Sequence, residues 1–503
     1  MQSNKKLHIG NSVLRMILVG ISIVFQVGWI LLTILVLNES YPWIEAITRM
    51  LSVVVILQIN SKHNDAAYKM PWIMLILTAP VMGLSLYLMM GVFGDLGSIG
   101  KRLKKVRAVT RSRLEPEHPG CSDDGLMRYL RQTGSPAYGD TAADYFSEAK
   151  DAFEALKKDL EQAESFIFME YFIVSGDSSF QELADILIRK AHQGVDVRFM
   201  YDDVGSVGTV NMVFAKRLAE EGIHCMVFNP AVPFLNLFMN HRDHRKITVI
   251  DGKVGYTGGF NLSDEYFGRK ITYGRWKDTG IRLEGAAVKS LTAAFLEMWD
   301  ACTRTKEDVS SYLAVEHTAS ADGVVQPYED DPLGRERVAE SVYLNLIYSA
   351  RKTLYVMTPY LIITDEMTNA LGLAAKRGVD VRIITPGVPD KKTVYAVTRS
   401  YYAGLASQGV RIYEYSPGFC HAKQMLCDGA VASIGTSNLD YRSLYLHFEN
   451  NVLLYGGHAV EAMARDFEEL FPQCEEVTEK YRSGRSKALR LGQYILRLFA
   501  PLL

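Results

Sequence analysis

The sequence predicts an α/β protein of two pseudo-symmetric βαβ lobes with packed mixed sheets, preceded by a helical transmembrane anchor. Three observations carry that expectation. The pattern His-x-Lys-x4-Asp occurs twice, as His244/Lys246/Asp251 and His421/Lys423/Asp428, and a Gly-x-x-Asn ending in Asn261 or Asn438 begins seven residues after each aspartate. The stretch Gly-Val-Asp-Val-Arg at 194–198 recurs letter for letter at 378–382. Long uncharged apolar runs stand ahead of both copies.

Taken in chain order, Met16 to Leu37 is 22 residues without a charge and Pro71 to Gly94 is 24 more, each close to the roughly 20 that cross a bilayer. MLSVVVILQIN at 50–60 is shorter and reads as a third span or an interfacial piece. Pro80 leaves room for a kinked or re-entrant helix in the last run. No small-residue cleavage site follows the first run, so a retained anchor is expected over residues 1–95. Seven lysines and arginines follow within thirteen residues, KRLKKVRAVTRSR at 101–113. That cluster places a basic juxtamembrane linker at 96–135 and, by the positive-inside rule, the catalytic part in the cytosol of a multi-pass membrane protein. Lys5, Lys6 and Arg15 also favour the inside, so the span count stays open between two and three.

The two lobes are expected at 136–305 and 334–480. Each begins with an apolar strand ending in tyrosine, FIFMEY to Tyr171 and TLYVMTPY to Tyr360. A helical run, the repeated pentapeptide, and a later segment carrying His-x-Lys follow. Strand and helix in alternation, with glycine just past each helix, argue for right-handed βαβ units on a mostly parallel sheet. The polar stretch broken by Gly323, Pro327 and Pro332 makes 306–333 the expected inter-lobe linker. From 481 to 503, Leu491, Ile495, Leu498 and Leu502 share one helical face, with Arg490 and Arg497 off it. That pattern suits anionic lipid or a terminal helix docked on the core.

The chemistry follows from residue type and spacing. Side chains two apart on a strand point the same way, so the imidazole and ammonium of each His-x-Lys would converge on one oxyanion. A neutral histidine can attack phosphorus and a protonated one can release an alkoxide. Lys246, Lys423, Asn261 and Asn438 would bind the phosphoryl oxygens. The six cysteines are scattered without a Cys-x-x-Cys pair, which suits reduced thiols. No zinc spacing, Walker loop or dinucleotide-binding signature is present, so neither metal nor cofactor is expected, and no nucleic acid. Oligomeric partners are left open.

Over roughly residues 130 to 480 the chain resembles the phospholipase D superfamily, and within it the bacterial cardiolipin synthase family. The residues that carry the resemblance are NHRDHRKITVIDG, RWKDTGIRLEG, GTSNLDYRS and the HFEN after it. The resemblance implies that Asp251 and Asp428, which complete the catalytic motifs, are structural, and that separate acids orient the imidazoles. Asp278 and Glu449 are the candidates by position. It implies transfer of a phosphatidyl group from one phosphatidylglycerol to another through a phosphatidyl-histidine, with His244 attacking and His421 protonating the departing glycerol. The residues alone leave the nucleophile open. They also leave open a phospholipase D using water, a phosphatidyltransferase with another donor, and a lipid-binding membrane scaffold.

Overall fold

The computed structural model describes residues 42–61, 66–91, 97–114, 124–230 except 212, 241–304, 308–315 and 323–483 except 335, with scattered positions elsewhere. The first apolar run, the 231–240 segment and the apolar face expected near the carboxyl terminus lie outside the described residues, apart from isolated positions.

The first lobe contains strands β1 (Thr141–Phe146), β2 (Phe166–Tyr171), β3 (Asp196–Asp202), β4 (His224–Phe228), β5 (Ile247–Ile250), β6 (Val254–Gly258), β7 (Arg275–Lys277) and β8 (Gly280–Gly285). The second contains β9 (Val324–Asp330), β10 (Thr353–Met357), β11 (Asp380–Pro386), β12 (Arg411–Tyr415), β13 (Gly418–Cys420), β14 (Gln424–Cys427), β15 (Val431–Gly435), β16 (Glu449–Tyr455) and β17 (Cys474–Glu476). Lobe 1 forms a sheet in the order β1-β8-β6-β5-β2-β3-β4, and lobe 2 repeats it as β9-β16-β15-β14-β10-β11-β12, with β17 added at the edge. Within each, only three strands are parallel (β2-β3-β4, β10-β11-β12) and the rest run antiparallel, so the sheets are mixed and not mostly parallel as the strand–helix alternation suggested, because the strands after the βαβ units return through hairpins. The repeated pentapeptide enters β3 and β11.

Period-two alternation sorts side chains to the two faces of each sheet. Phe166 and Phe168 of β2, with Tyr355 and Met357 of β10, join one core shared by both lobes. Ile167 and Met169 face a core under the outer helices of lobe 1, and Leu354 and Val356 one under those of lobe 2. The two sheets therefore pack face to face with helices outside.

Four further expectations are corrected. The stretch 306–333 is not a plain linker, because β9 is the edge strand of the lobe 2 sheet and pairs with β16 over seven residues. The basic segment is not a free linker either. Residues Gly97–Arg111 form a helix whose Arg107 and Arg111 bond Glu297, with Arg111 also reaching Glu329 at 2.9 Å. Arg245, between the first motif's histidine and lysine, meets the same Glu329 at 3.1 Å. Basic residues spaced along one helical face satisfy acids buried in the catalytic body, while Lys101, Lys104 and Lys105 stay exposed.

The third correction concerns the 71–94 run, which is not one span. Helices Ala66–Thr78 and Pro80–Gly91 fold back on each other at Ala79, so that Trp72 and Tyr87 meet edge to face with centroids 5.6 Å apart. A Cβ on Gly83 would lie 2.6 Å from the Ile76 Cα, so only glycine permits that approach. At ~1.5 Å per residue each arm reaches about 20 Å. Residues 50–60 lie inside a 20-residue helix, Pro42–Ser61. No helix among the described residues is long and apolar enough to cross a membrane. Fourth, His-x-Lys lies in the extended approach to β5 and β14 rather than within a strand.

Candidate active site

Cross-lobe strand pairing builds the site. Strand β13, just before His421, runs parallel to β7, just before Asp278, with Cys420 opposite Lys277, and the His421 N–H donates to the Lys277 carbonyl at 2.7 Å. The other motif repeats this with the lobes exchanged. Asp243 bridges Phe448 in parallel, and the His244 N–H donates to the Phe448 carbonyl at 3.0 Å. In each case the histidine and the acid are the next residues along, so they face each other. His244 Nδ1 lies 3.0 Å from both Glu449 oxygens, and His421 Nδ1 lies 2.6 Å from Asp278 Oδ2. Each imidazole is thus held by the opposite lobe's carboxylate, a crossing that position in the chain did not indicate. An acceptor at Nδ1 favours the Nδ1–H tautomer, which leaves Nε2 of His244 for chemistry, whereas Nε2 of His421 has the Lys423 Nζ 3.0 Å away.

Both imidazoles line one cavity of about 340 Å³, together with Asn261, Asn438, Tyr266, Trp276, Tyr360, Asp440, Arg442 and His447 among others. Burial, then the nearby Lys423, pushes the His421 imidazole down to about 4. Burial also holds His244 well below its ordinary value, helped by Lys246, Lys423 and His421. Asp278 is held below the usual carboxylate range, because His421 and Lys423 outweigh its burial. The burial of the site thus keeps neutral imidazoles, the form a nucleophile requires. A phosphodiester anion arriving between them would favour the protonated form that a general acid requires.

The lysines are not on the cavity wall. Both are buried, and each Nζ turns back to its own motif's histidine carbonyl, Lys246 at 2.5 Å. Burial brings Lys246 down to about 7 and Lys423 down to about 8. The asparagines do reach the cavity, but Asn261 is occupied at both ends, accepting from the Ile173 N–H and donating to Tyr266. Asn438 donates to Asp440 at 3.0 Å.

Asp251 and Asp428 stand apart from the cavity-lining residues. Each occupies the first central position of an Asp-Gly hairpin turn, with φ of 53° and 51° followed by Gly252 and Gly429 at 67° and 66°, the conformation that a tight hairpin requires. The Asp251 carboxylate accepts the backbone N–H groups of Glu164, Ser165 and Phe166, at 2.7–2.8 Å. Asp428 does the same for Arg351, Lys352 and Thr353. The aspartates therefore lock the starts of β2 and β10 against the turns.

Sequence reasoning passed over two residues on the wall. Trp276 stands two before Asp278 and His447 two before Glu449, and their rings lie 5.4 Å from His421 and His244 respectively. The signal was available as a ring-x-acid repeat, WKD and HFE. His447, His244 and Glu449 also bring ligand atoms within 4.8 Å of one another.

Fold and site together define a phospholipase D-like α/β protein with one histidine from each lobe. Residues 156–299 and 343–471 match the family model described as cardiolipin synthase, PLD-like domain, and the chain belongs to that family. It is 34% identical to a cardiolipin synthase of Geobacillus sp. (strain WCH70), over 88% of this chain and 91% of that protein. It is 39% identical to cardiolipin synthase 2 of Bacillus cereus over 70% and 69%, and 39% identical to an uncharacterized protein of Streptococcus mutans over 89% and 99%. Among solved structures, the phosphatidylserine synthase of Haemophilus influenzae shares the fold at a TM-score of 0.52 and 13% identity, covering 75% of this chain and 97% of that one.

Proposed function

We infer that this chain is a cardiolipin synthase, a phosphatidyltransferase that joins two phosphatidylglycerol molecules into cardiolipin and glycerol. The observation that carries the reading is the crossed pair of imidazole–carboxylate bonds opening on one cavity. His244 attacks the phosphorus through Nε2, and the departing glycerol takes its proton from His421. The phosphatidyl-histidine is then attacked by the terminal hydroxyl of a second phosphatidylglycerol, whose proton passes to His421 as the N–P bond breaks. The imidazolium formed at each step is stabilised by Glu449 or Asp278. Lys246 and Lys423, buried beside the imidazoles, offset the charge that grows on the phosphoryl oxygens. Asn261 and Asn438 orient the cavity wall through Tyr266 and Asp440, and each keeps a second amide N–H for the substrate.

The substrate's place in a bilayer accounts for the amino-terminal helices. Trp43, Met50, Val53, Val54, Leu57, Met70 and Leu77 are exposed on the first two described helices. Large apolar side chains turned outward in such number support lipid contact. The helical hairpin and the apolar run before it would anchor the protein in the bacterial plasma membrane, with the catalytic lobes on the cytosolic face.

The test supplies labelled phosphatidylglycerol to purified wild type, His244→Ala and His421→Ala. Cardiolipin with free glycerol is expected from wild type alone, and label trapped on protein by early quenching is expected at His244. Phosphatidic acid as the main product would make the enzyme a hydrolase, and near-normal turnover in both variants would refute the site.

A further inference from the structure

We propose that His447, His244 and Glu449 form a site for a divalent transition-metal ion of the zinc class, and that occupancy arrests the enzyme. His447 has no part in the transfer chemistry. It follows the short helix Tyr441–Tyr445 and precedes β16, and its backbone N–H is bonded to the Arg442 carbonyl at 2.9 Å. Its side chain is 8% exposed, and neither ring nitrogen has a hydrogen-bond partner among the described residues. A neutral imidazole carries a donor and an acceptor, and leaving such groups buried and unmet is unfavourable.

Packing does not demand that polarity. The matching position in lobe 1 holds Trp276, with its ring at the same 5.4 Å from the catalytic imidazole. Both lobes place a flat ring here, and in lobe 1 it is an indole whose single N–H is also unmet. An imidazole with two orphaned nitrogens is the costlier choice unless something binds it.

The distances point to an ion. His447 Nδ1 is 3.7 Å from Glu449 Oε1, too far for a hydrogen bond, while His244 Nδ1 is 3.0 Å from the same carboxylate. A tetrahedral ion with bonds of about 2.0–2.1 Å holds its ligands roughly 3.3 Å apart, between those two values. Two imidazoles and a carboxylate form a familiar zinc donor set with an open fourth position, which the adjoining cavity can fill with water.

Binding would act through the tautomer of His244. The metal takes the Nδ1 lone pair, so the ring's single proton moves to Nε2. The imidazole stays neutral, but Nε2 no longer has the lone pair that attacks phosphorus. Glu449, engaged by the metal, also ceases to accept from His244.

The first test needs no lipid, so it is independent of the transferase reading. The purified full chain, stripped with chelator, is titrated with Co²⁺ and then Zn²⁺. A single Co²⁺ per chain is expected, with the visible absorption of a four-coordinate site and displacement by Zn²⁺. Affinity should fall roughly 100-fold or more in His447→Phe and His447→Leu, as expected when one of three ligands is lost. Absence of stoichiometric binding to wild type overturns the site, as does unchanged binding in both variants. The second arm measures the ratio of rates with and without saturating Zn²⁺, which cancels each variant's basal rate. It should fall about tenfold or more in wild type and less than about twofold in His447→Phe. Metal bound without loss of rate overturns the arrest, whereas metal bound by a wild type that makes no cardiolipin refutes only the transferase reading.

Discussion

The two halves of the site share a scaffold and differ in their surroundings. His421 stands among Tyr266, Trp276 and Phe419, with ring centroids at 5.3, 5.4 and 5.9 Å, and its short acid Asp278 at 2.6 Å. His244 stands beside Phe172 and His447, at 4.9 and 5.4 Å, and is held by the longer Glu449, which also accepts from the Thr436 hydroxyl. In lobe 1 the position matching Thr436 is Gly259, where a Cβ would lie 2.0 Å from Asp278 Oδ1. Duplication thus supplied two equivalent cradles, and substitutions around them gave one imidazole three aromatic neighbours and the other a phenyl ring and a second imidazole. Chemistry that needs an attacker and a proton donor at once is served by that inequality.

The crossing of the acids gives the largest expected effect. Asp278→Asn and Glu449→Gln should each lower transfer roughly 10³-fold, because each disturbs the tautomer of the opposite lobe's histidine. The decisive measurement is single-turnover formation and decay of the protein-bound phosphatidyl group. Glu449→Gln should slow formation through attack by His244, and Asp278→Asn both steps through proton transfer at His421. Identical effects of the two on both steps would break the comparison.

Acid stability comes next. His421 is neutral in the fold down to about 4, whereas an unfolded chain takes up its proton near 6.5. The unfolded state then binds more protons, so stability present above pH 6.5 is lost as pH falls toward 4, by about 3 kcal/mol in all. Thermal unfolding in detergent should show this slope in wild type and a shallower one in His421→Gln. Equal slopes would mean that burial is not what holds the ring neutral.

Asp251→Asn should cost about 2 kcal/mol of stability by weakening three charge-assisted N–H bonds, and Asp428→Asn less, because Asp428 is more exposed. Asparagine tolerates the positive φ, so the pair isolates the carboxylate's contribution. A selective loss of turnover with the melting temperature retained would return the aspartates to the chemistry. The smallest effect is expected from Arg111→Met, roughly 1 kcal/mol, read as faster proteolytic release of the basic helix from the catalytic body. Unaltered cleavage would show that the helix is held elsewhere.

Much of this was legible in the chain because it is local or repeated. The βαβ order, the buried strand ending at Tyr171 and the His-x-Lys pairs all follow from periodicity and self-similarity, whereas the second strand stops at Met357, short of the expected Tyr360. The linker at 306–333 was misjudged because β9, with Pro327 inside it, looks like loop until an edge position in the sheet supplies its partner. The 71–94 run was legible as apolar, and Pro80 left room for a re-entrant helix, but the choice of a hairpin was not legible, since hydropathy does not report the packing of Trp72 on Tyr87. Asp278 and Glu449 were legible as candidates by position, but which imidazole each would meet was not.

The repeat by itself determined that the protein has two like halves, each offering an imidazole, a lysine and a turn aspartate. Only the tertiary structure decided that residues 205 and 143 positions apart would pair as His244–Glu449 and His421–Asp278. It also decided that Asp251 and Asp428 would spend their charge on backbone N–H groups. The reason is physical: strand pairing between lobes and the burial that strips water from these groups are set by where distant segments meet, and no local pattern encodes that meeting.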